Sequence, residues 1–374
     1  MNKKQTKIIK VFLYLFLVIV FLPMLQFSFS PFKLGGLQGA YLLSTMPKLT
    51  TSSFLNQNYQ DCTAIYLKHQ TPFRAELIKV RNQIDYTIHK KINTILTLGK
   101  DNYIFDPTYI KAIRGEDYLN DEVLTSKITS ILKTKTKLDS LNIPLLICFA
   151  PNKANYYSEK LIPKPIEVEA TNHNYYKKNL LEGRINIIDF DSIFNELKTT
   201  SKYPLIPKYG AHWSTFGAYN SANILFNKLN TITKKETSSL ILDSIYLTAN
   251  IKFSDDDYLP SLNLLEKLES PKMAYPIFNF NVQNKLNVLF ISDSFCWSFY
   301  DLDIPKNSFT QNSELWYYNK TKFDIDKNKI GPTSNIIQSK DIVNRDLIII
   351  LSSAPSLIDF GFGFFEQIEQ MHEQ

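Results

Sequence analysis

The sequence predicts an α/β protein: a three-layer α/β/α domain around a mainly parallel sheet, preceded by an N-terminal transmembrane helix. Three observations carry that expectation. Four short apolar runs are separated by segments with helical spacing, the pattern of strands that need crossover helices. The runs are apolar at consecutive positions, as expected of strands covered on both faces. A long uncharged stretch follows a basic tail at the N-terminus.

The tail comes first. Lys3, Lys4, Lys7 and Lys10 occupy the first ten residues, which hold no acid. From Val11 to Phe32 there are 22 positions without a charge, long enough to span a bilayer. A cleaved signal peptide is the alternative, with Ser28-Phe29-Ser30 offering small residues for the cut. Pro31 would then follow the scissile bond, where its ring hinders cleavage, so an uncleaved anchor is expected. This divides the chain into a cytoplasmic tail (1–10), a signal anchor (11–30), a stalk with a helical segment (31–94) and a folded domain (95–374). Lysines before the span place the N-terminus in the cytoplasm and the domain in a periplasm or other extracytoplasmic space.

Of the 42 basic residues four lie in this tail, which leaves 38 against 36 acidic ones. That near-balance excludes the concentrated basic face of a nucleic-acid binder. With 26 Phe and 21 Tyr the chain has ample material for a core. The three cysteines, Cys62, Cys148 and Cys296, match no zinc spacing and imply no disulfide framework. Cys148 and Cys296 lie in apolar runs and read as small buried hydrophobes.

Gly35, Gly36, Gly39 and Pro47 mark the stalk. Leu77, Val80, Ile84 and Ile88 recur at helical spacing and predict one buried stripe. Gly99-Lys100-Asp101-Asn102 reads as a turn into Tyr103-Ile104-Phe105. Residues 121–141 read as a helix and 144–150 as the first strand, ended by Pro151. Residues 185–190 form the second strand, with a helical stretch near 193–197. Residues 215–229 are helical, 288–291 a third strand and 347–351 a fourth. Active sites of such sheets lie beyond the carboxyl ends of the strands. Asn152, Asp189 and Ser294 all fall there.

Two strings carry the candidate chemistry. Ile291-Ser292-Asp293-Ser294-Phe295 puts a serine just past a strand, where its hydroxyl is exposed and its own N–H can face an oxyanion. The alternative is that Ser294 caps the following helix. Gly210-Ala211-His212-Trp213-Ser214 offers a histidine beside an aromatic and a candidate N-cap. Histidine has the pKa to activate a serine; a structural loop histidine is the alternative. Among the other histidines, His69 and His89 read as surface residues, His173 as part of a polar stretch and His372 as frayed. Asp255-Asp256-Asp257 lacks the glycine turn of a calcium loop and reads as a solvated acidic turn. Trp213, Trp297, Tyr156 and Tyr157 fit either sugar stacking or the core.

Five elements, in order, resemble the AlgX/AlgJ-like branch of the SGNH hydrolase superfamily, associated with alginate O-acetylation. They are the N-terminal anchor, Gly99-Lys100-Asp101 before Tyr103-Ile104-Phe105, the strand ending Ala150-Pro151-Asn152-Lys153, the segment His212-Trp213-Ser214 with Gly217-Ala218, and Asp293-Ser294-Phe295. The resemblance covers roughly 95–360. It implies Ser294 as nucleophile and His212 as general base, supported by Asp293, Trp213 and Ser214. Asn152 is a candidate for the oxyanion, alongside the Ser294 N–H. It further implies O-acetyl transfer to an exported polysaccharide or cell-wall glycan, with an integral membrane acyltransferase of the MBOAT type as partner. No cofactor and no metal are implied. The family has an Asp two residues before the His, where this chain has Gly210, and a Gly before the Asp-Ser pair, where it has Ser292. Asp189 or Asp191 folding back, or a backbone carbonyl, would then orient His212. A carbohydrate esterase and a non-catalytic glycan-binding scaffold subunit are the alternatives.

Overall fold

Each apolar run read as a strand pairs with another in one sheet. The computed structural model describes residues 3–39, 44–166, 168–334 and 336–371; His372 lies outside them. In chain order the strands are β1 (Thr97–Leu98), β2 (Ile104–Phe105), β3 (Leu145–Phe149), β4 (Asn186–Asp189), β5 (Ser238–Thr248), β6 (Met273–Val282), β7 (Val288–Ser292), β8 (Glu314–Tyr317), β9 (Thr321–Phe323), β10 (Lys329–Pro332) and β11 (Leu347–Ser352). Seven of them form the order β10-β9-β8-β7-β11-β3-β4. From β8 to β4 every neighbouring pair is parallel. β9 and β10 extend the β8 edge antiparallel, so the sheet is mixed.

Alternate residues of the central strands enter two separate cores, because successive side chains point to opposite faces. Leu146, Cys148, Val288, Phe290, Ile349 and Leu351 face one core, with Ala218, Ala222 and Leu225 of the helix Thr215–Thr233. Leu145, Ile147, Leu289, Ile291, Ile348 and Ile350 face the other, with Leu124, Ile128 and Ile131 of the helix Asp121–Ser140. Helices therefore cover both faces in three layers. Removing a side chain from this double core, as in Ile350→Ala, typically costs ~2–5 kcal/mol. Both large helices begin on side-chain caps: Asn120 accepts from the Val123 N–H, and Ser214 from the Gly217 N–H.

By its internal contacts the chain divides into two units, Met1–Thr94 with Leu259–Leu268, and Ile95–Tyr258 with Glu269–Gln374. The first holds the helix Lys3–Phe29, of which Gln5–Phe29 is long and apolar enough to cross a membrane. Gln26 closes that helix, its amide bonding both the N–H and the C=O of Phe32. The helices Thr51–Leu55, Asn58–Gln70 and Arg74–His89 follow. The expected buried stripe is corrected here. Leu77, Val80, Ile84 and Ile88 do share one face, but it is exposed, and Asn82 and Tyr86 face inward instead. Asn82 is held by two carbonyls, Leu262 at 3.0 Å and Asn263 at 3.2 Å. Helical spacing identifies a face without identifying what covers it. His69, expected at the surface, is half-buried, its Nδ1 accepting from the Ser44 N–H.

Candidate functional site

β7 delivers the site's serine. At its end the Asp293 carboxylate accepts from the Phe295 N–H at 3.1 Å, from the Ser353 N–H at 2.7 Å and from the Ser356 hydroxyl at 2.8 Å. The cap is thus Asp293, and it also ties the exit of β7 to the exit of β11. Ser294 opens a short 3-10 turn, Ser294–Cys296, with Phe295 and Cys296 buried beneath it. The Ser294 hydroxyl is left for another partner, and that partner is His212.

His212 Nε2 lies 2.8 Å from Ser294 Oγ. Its Nδ1 lies 3.1 Å from an Asp257 carboxylate oxygen, and the other oxygen of Asp257 accepts from the Ala211 N–H at 2.9 Å. Phe295 meets the imidazole edge-on, with centroids 4.9 Å apart. A carboxylate on Nδ1 selects the tautomer whose Nε2 accepts a proton and stabilises the imidazolium that results. Serine, histidine and aspartate therefore form one hydrogen-bonded series at the carboxyl ends of the parallel strands.

The acid is not where sequence reasoning looked for it. Asp189 pairs with His173 Nε2 at 3.1 Å and with Lys177 at 2.6 Å, which hold its carboxyl far below the usual range although burial pushes the other way. Asp191 accepts from the Asn152 N–H and the Asn155 amide. Neither reaches His212. Residues 255–257 do lie in a turn with Asp257 exposed, but the turn is not merely solvated. Asp255 is buried and accepts from the Thr215 N–H and hydroxyl, at the start of the helix Thr215–Thr233. Burial pushes its carboxyl up to about 6. Asp257, two residues on, is the acid on His212. Three consecutive aspartates between the histidine and the serine were the available signal.

Gly210 explains why the acid comes from there. A Cβ at 210 would sit 2.5 Å from the Ser254 carbonyl oxygen and 2.7 Å from Pro207 Cγ. The segment that carries Asp257 occupies the space a side chain at 210 needs. Beneath the same loop Lys153 is fully buried, its ammonium donating to the carbonyls of Lys208 and Gly210 at 2.8 Å each. It also lies over the Tyr258 ring, 5.0 Å from the centroid. Burial pulls its pKa well below that of an ordinary lysine, while Asp257 pulls the other way.

Asn152 does not meet its expectation as an oxyanion donor. Its side-chain oxygen caps the helix Lys153–Tyr156, its amide nitrogen donates to the Tyr109 carbonyl at 3.2 Å, and no hydrogen bond joins it to Ser294. Tyr318 lies beside Ser294 instead. Its phenol neighbours Ser294, which pulls its pKa down. Burial, and then the Asp293 carboxylate, push this phenol up to about 12. Tyr318 follows β8 in the left-handed region, φ 49°, an uncommon and strained place for an aromatic residue. Its N–H donates to the Ser292 carbonyl at 2.8 Å.

The remaining candidates are structural. Trp213 is buried edge-on to Phe190 and Phe295, behind His212. Ser214 caps the helix after it and donates to the Pro204 carbonyl. Tyr156 and Tyr157 are buried as well, so none of these three aromatics offers an open ring face; Trp297 is half-buried. Cys148 and Cys296 are buried free thiols whose pKa burial raises, which makes them poor nucleophiles. No group of metal-binding side chains occurs among the described residues.

Comparison with known proteins gives distant likenesses. No family profile matches the chain. Among curated proteins, Autophagy-related protein 9 of Saccharomyces cerevisiae, from two strains, is 27% identical over 236 residues. That is 59% of this chain, which spans 22% of the length of those relatives. Among solved structures, the O-acetyltransferase domain of Pseudomonas putida AlgJ is 14% identical with a TM-score of 0.47, covering 74% of this chain and 98% of that one. Pseudomonas aeruginosa AlgX is 14% identical with a TM-score of 0.45, over 76% and 70%. Bacillus cereus PatB1 is 15% identical with a TM-score of 0.46, over 72% and 99%. The layers and the site described above are properties of this chain's own strands and side chains.

Proposed function

We propose that the chain is a membrane-anchored, extracytoplasmic O-acyltransferase that moves acetyl groups onto hydroxyls of an exported polysaccharide or cell-wall glycan. The observation that carries this reading is the series Asp257–His212–Ser294, with 3.1 Å and 2.8 Å between its partners. His212 Nε2 takes the serine proton as Ser294 Oγ attacks the donor's acyl carbonyl. Collapse of the tetrahedral intermediate leaves acetyl-Ser294, and the leaving group takes the proton back from His212. A glycan hydroxyl, deprotonated by the same nitrogen, then attacks the ester and regenerates Ser294. The Ser294 N–H and the Tyr318 hydroxyl stabilise the oxyanion in both halves. The choice of acetyl and glycan, and of an MBOAT-type membrane partner as the acetyl supply, follows the family resemblance of the ordered motifs.

Hydrolysis uses the same intermediate with water as acceptor. A scaffold role would need no working nucleophile, and an intact acid–base–serine series counts against it. The test is labelling of the purified chain by a serine-reactive phosphonate, followed by transfer of acetyl from an activated ester to glycan oligomers. Ser294→Ala should abolish both. Asp257→Asn should slow labelling by up to about 10⁴-fold, the scale of a mis-set histidine tautomer. Wild-type protein that resists the phosphonate would sink the enzymatic reading; labelled protein that only hydrolyses the ester would make it an esterase.

A further inference from the structure

The helix Arg74–His89 is built inside out. Leu77, Val80, Ile84 and Ile88 are 66%, 39%, 49% and 68% exposed, while the polar Asn82 is buried. A stripe of four apolar side chains along a helix about 24 Å long has a free-energy reason to find a cover. The flanking elements repeat the pattern. The helix Asn58–Gln70 buries no residue and exposes Ile65 and Leu67, and Phe54 and Leu55 are exposed in the helix before it.

The chain itself indicates the cover. Phe32, three residues beyond the apolar helix that ends at Phe29, packs edge-on against Phe73, with centroids 5.9 Å apart. The Gly35 N–H donates to the Glu76 carboxylate at 3.0 Å. The stripe therefore starts where the membrane-length helix stops. Charge fits as well. Arg74 and Arg81 lie beside the stripe on the helical wheel, Arg81 paired with Asp85 at 3.6 Å, and Lys90 and Lys91 follow its end. Basic groups bordering an apolar helical face are the arrangement of a helix lying in a bilayer interface.

We propose that the face Leu77–Val80–Ile84–Ile88 lies in the headgroup region of the bilayer that the N-terminal helix enters, as a second, lateral membrane contact preferring anionic lipid. This rests on the anchor reading, and the experiment separates the two. The full chain, with Cys62→Ser to remove the accessible thiol, carries one environment-sensitive fluorophore at Ile84→Cys, Ile88→Cys or His89→Cys. It is reconstituted in phosphatidylcholine vesicles with and without phosphatidylglycerol, and with lipids bearing a nitroxide near the headgroup.

The expected result is a blue-shifted emission, quenched several-fold by the nitroxide lipids, at 84 and 88 and not at 89, on the opposite face. Phosphatidylglycerol should increase the quenching. Chain that washes out of the vesicles at alkaline pH would overturn the anchor and, with it, the lateral contact. Chain that stays in the vesicles while position 84 emits as in water would overturn the lateral contact alone. A shielded but unquenched probe at 84 that crosslinks to a second copy would assign the face to self-association and equally overturn it.

Discussion

Gly210→Ala adds one methyl group and should cripple the site from outside it. The new Cβ would fall 2.5 Å from the Ser254 carbonyl oxygen, where ordinary contact begins at 3.4 Å. The backbone of 254 must therefore retreat by about 0.9 Å, the difference of those two distances. Ser254 is three residues before Asp257, whose bond to His212 is 3.1 Å long. A retreat of that size carries the pair toward ~4 Å, beyond hydrogen bonding. Misplacement by ~1 Å costs about 10²-fold, and full loss of the orienting acid about 10⁴-fold. Acylation of Ser294 should accordingly slow by ~10²–10⁴, or ~2.7–5.5 kcal/mol in barrier height. Overpacking should cost the fold only ~1–3 kcal/mol. The assay is the rate of phosphonate labelling for wild type, Gly210→Ala, Asp257→Asn and the double variant, with urea melts to confirm folding. Both changes act through one bond, so the double variant should be little worse than Asp257→Asn. A folded Gly210→Ala protein that labels at the wild-type rate would refute the reasoning, as would losses that multiply in the double variant.

Tyr318→Phe should lower acyl transfer by about 10²–10³-fold in kcat with KM little changed, as expected for loss of one oxyanion donor; a change confined to KM would make Tyr318 a binding residue only. Asp255 predicts a pH dependence of stability. Its folded-state pKa, about 6, is raised above an unfolded value near 4, so the unfolded chain releases the proton first. Stability should therefore fall as pH rises from ~4 to ~6, by up to ~3 kcal/mol, and Asp255→Asn should flatten that slope in urea midpoints taken across the range. A wild-type midpoint that stays level or rises over that window, once other carboxylates are matched by the variant, would contradict it.

The parts of the fold that were readable are those where one local property decides. Continuous apolar runs mark β3, β7 and β11 because each is covered on both faces, and the sheet pairs them side by side. The long hairpin of β5 and β6 was not readable. A shift of register between Leu242 and Ser244 interrupts the alternation that would have revealed β5. His212 and Ser294 each sit in a locally informative string, and the structure places them in hydrogen-bond contact. Asp257 closes the string Asp255-Asp256-Asp257, which names no partner by itself. Its meaning lies in a packing relation with Gly210, 47 positions earlier, and such a relation has no signature in either segment alone. Asn152 went the other way: a residue at a strand's carboxyl end is also the natural helix cap, and capping took its oxygen. The face of Arg74–His89 was legible as a face and misjudged in direction, because an exposed apolar stripe and a buried one have the same period.

Lys153 bears on how the site opens. Its amino group has exchanged water for two carbonyls of the loop that bears His212. Swinging that loop outward would leave a buried amino group without its two acceptors, a cost that a loop opening on each turnover would meet every time. The histidine side of the site is thus pre-set. On the serine's other flank Tyr318 and Asn319 both lie in the left-handed region, at φ 49° each. An enzyme of this kind would keep its base always ready and leave any adjustment to the flank that bears Tyr318.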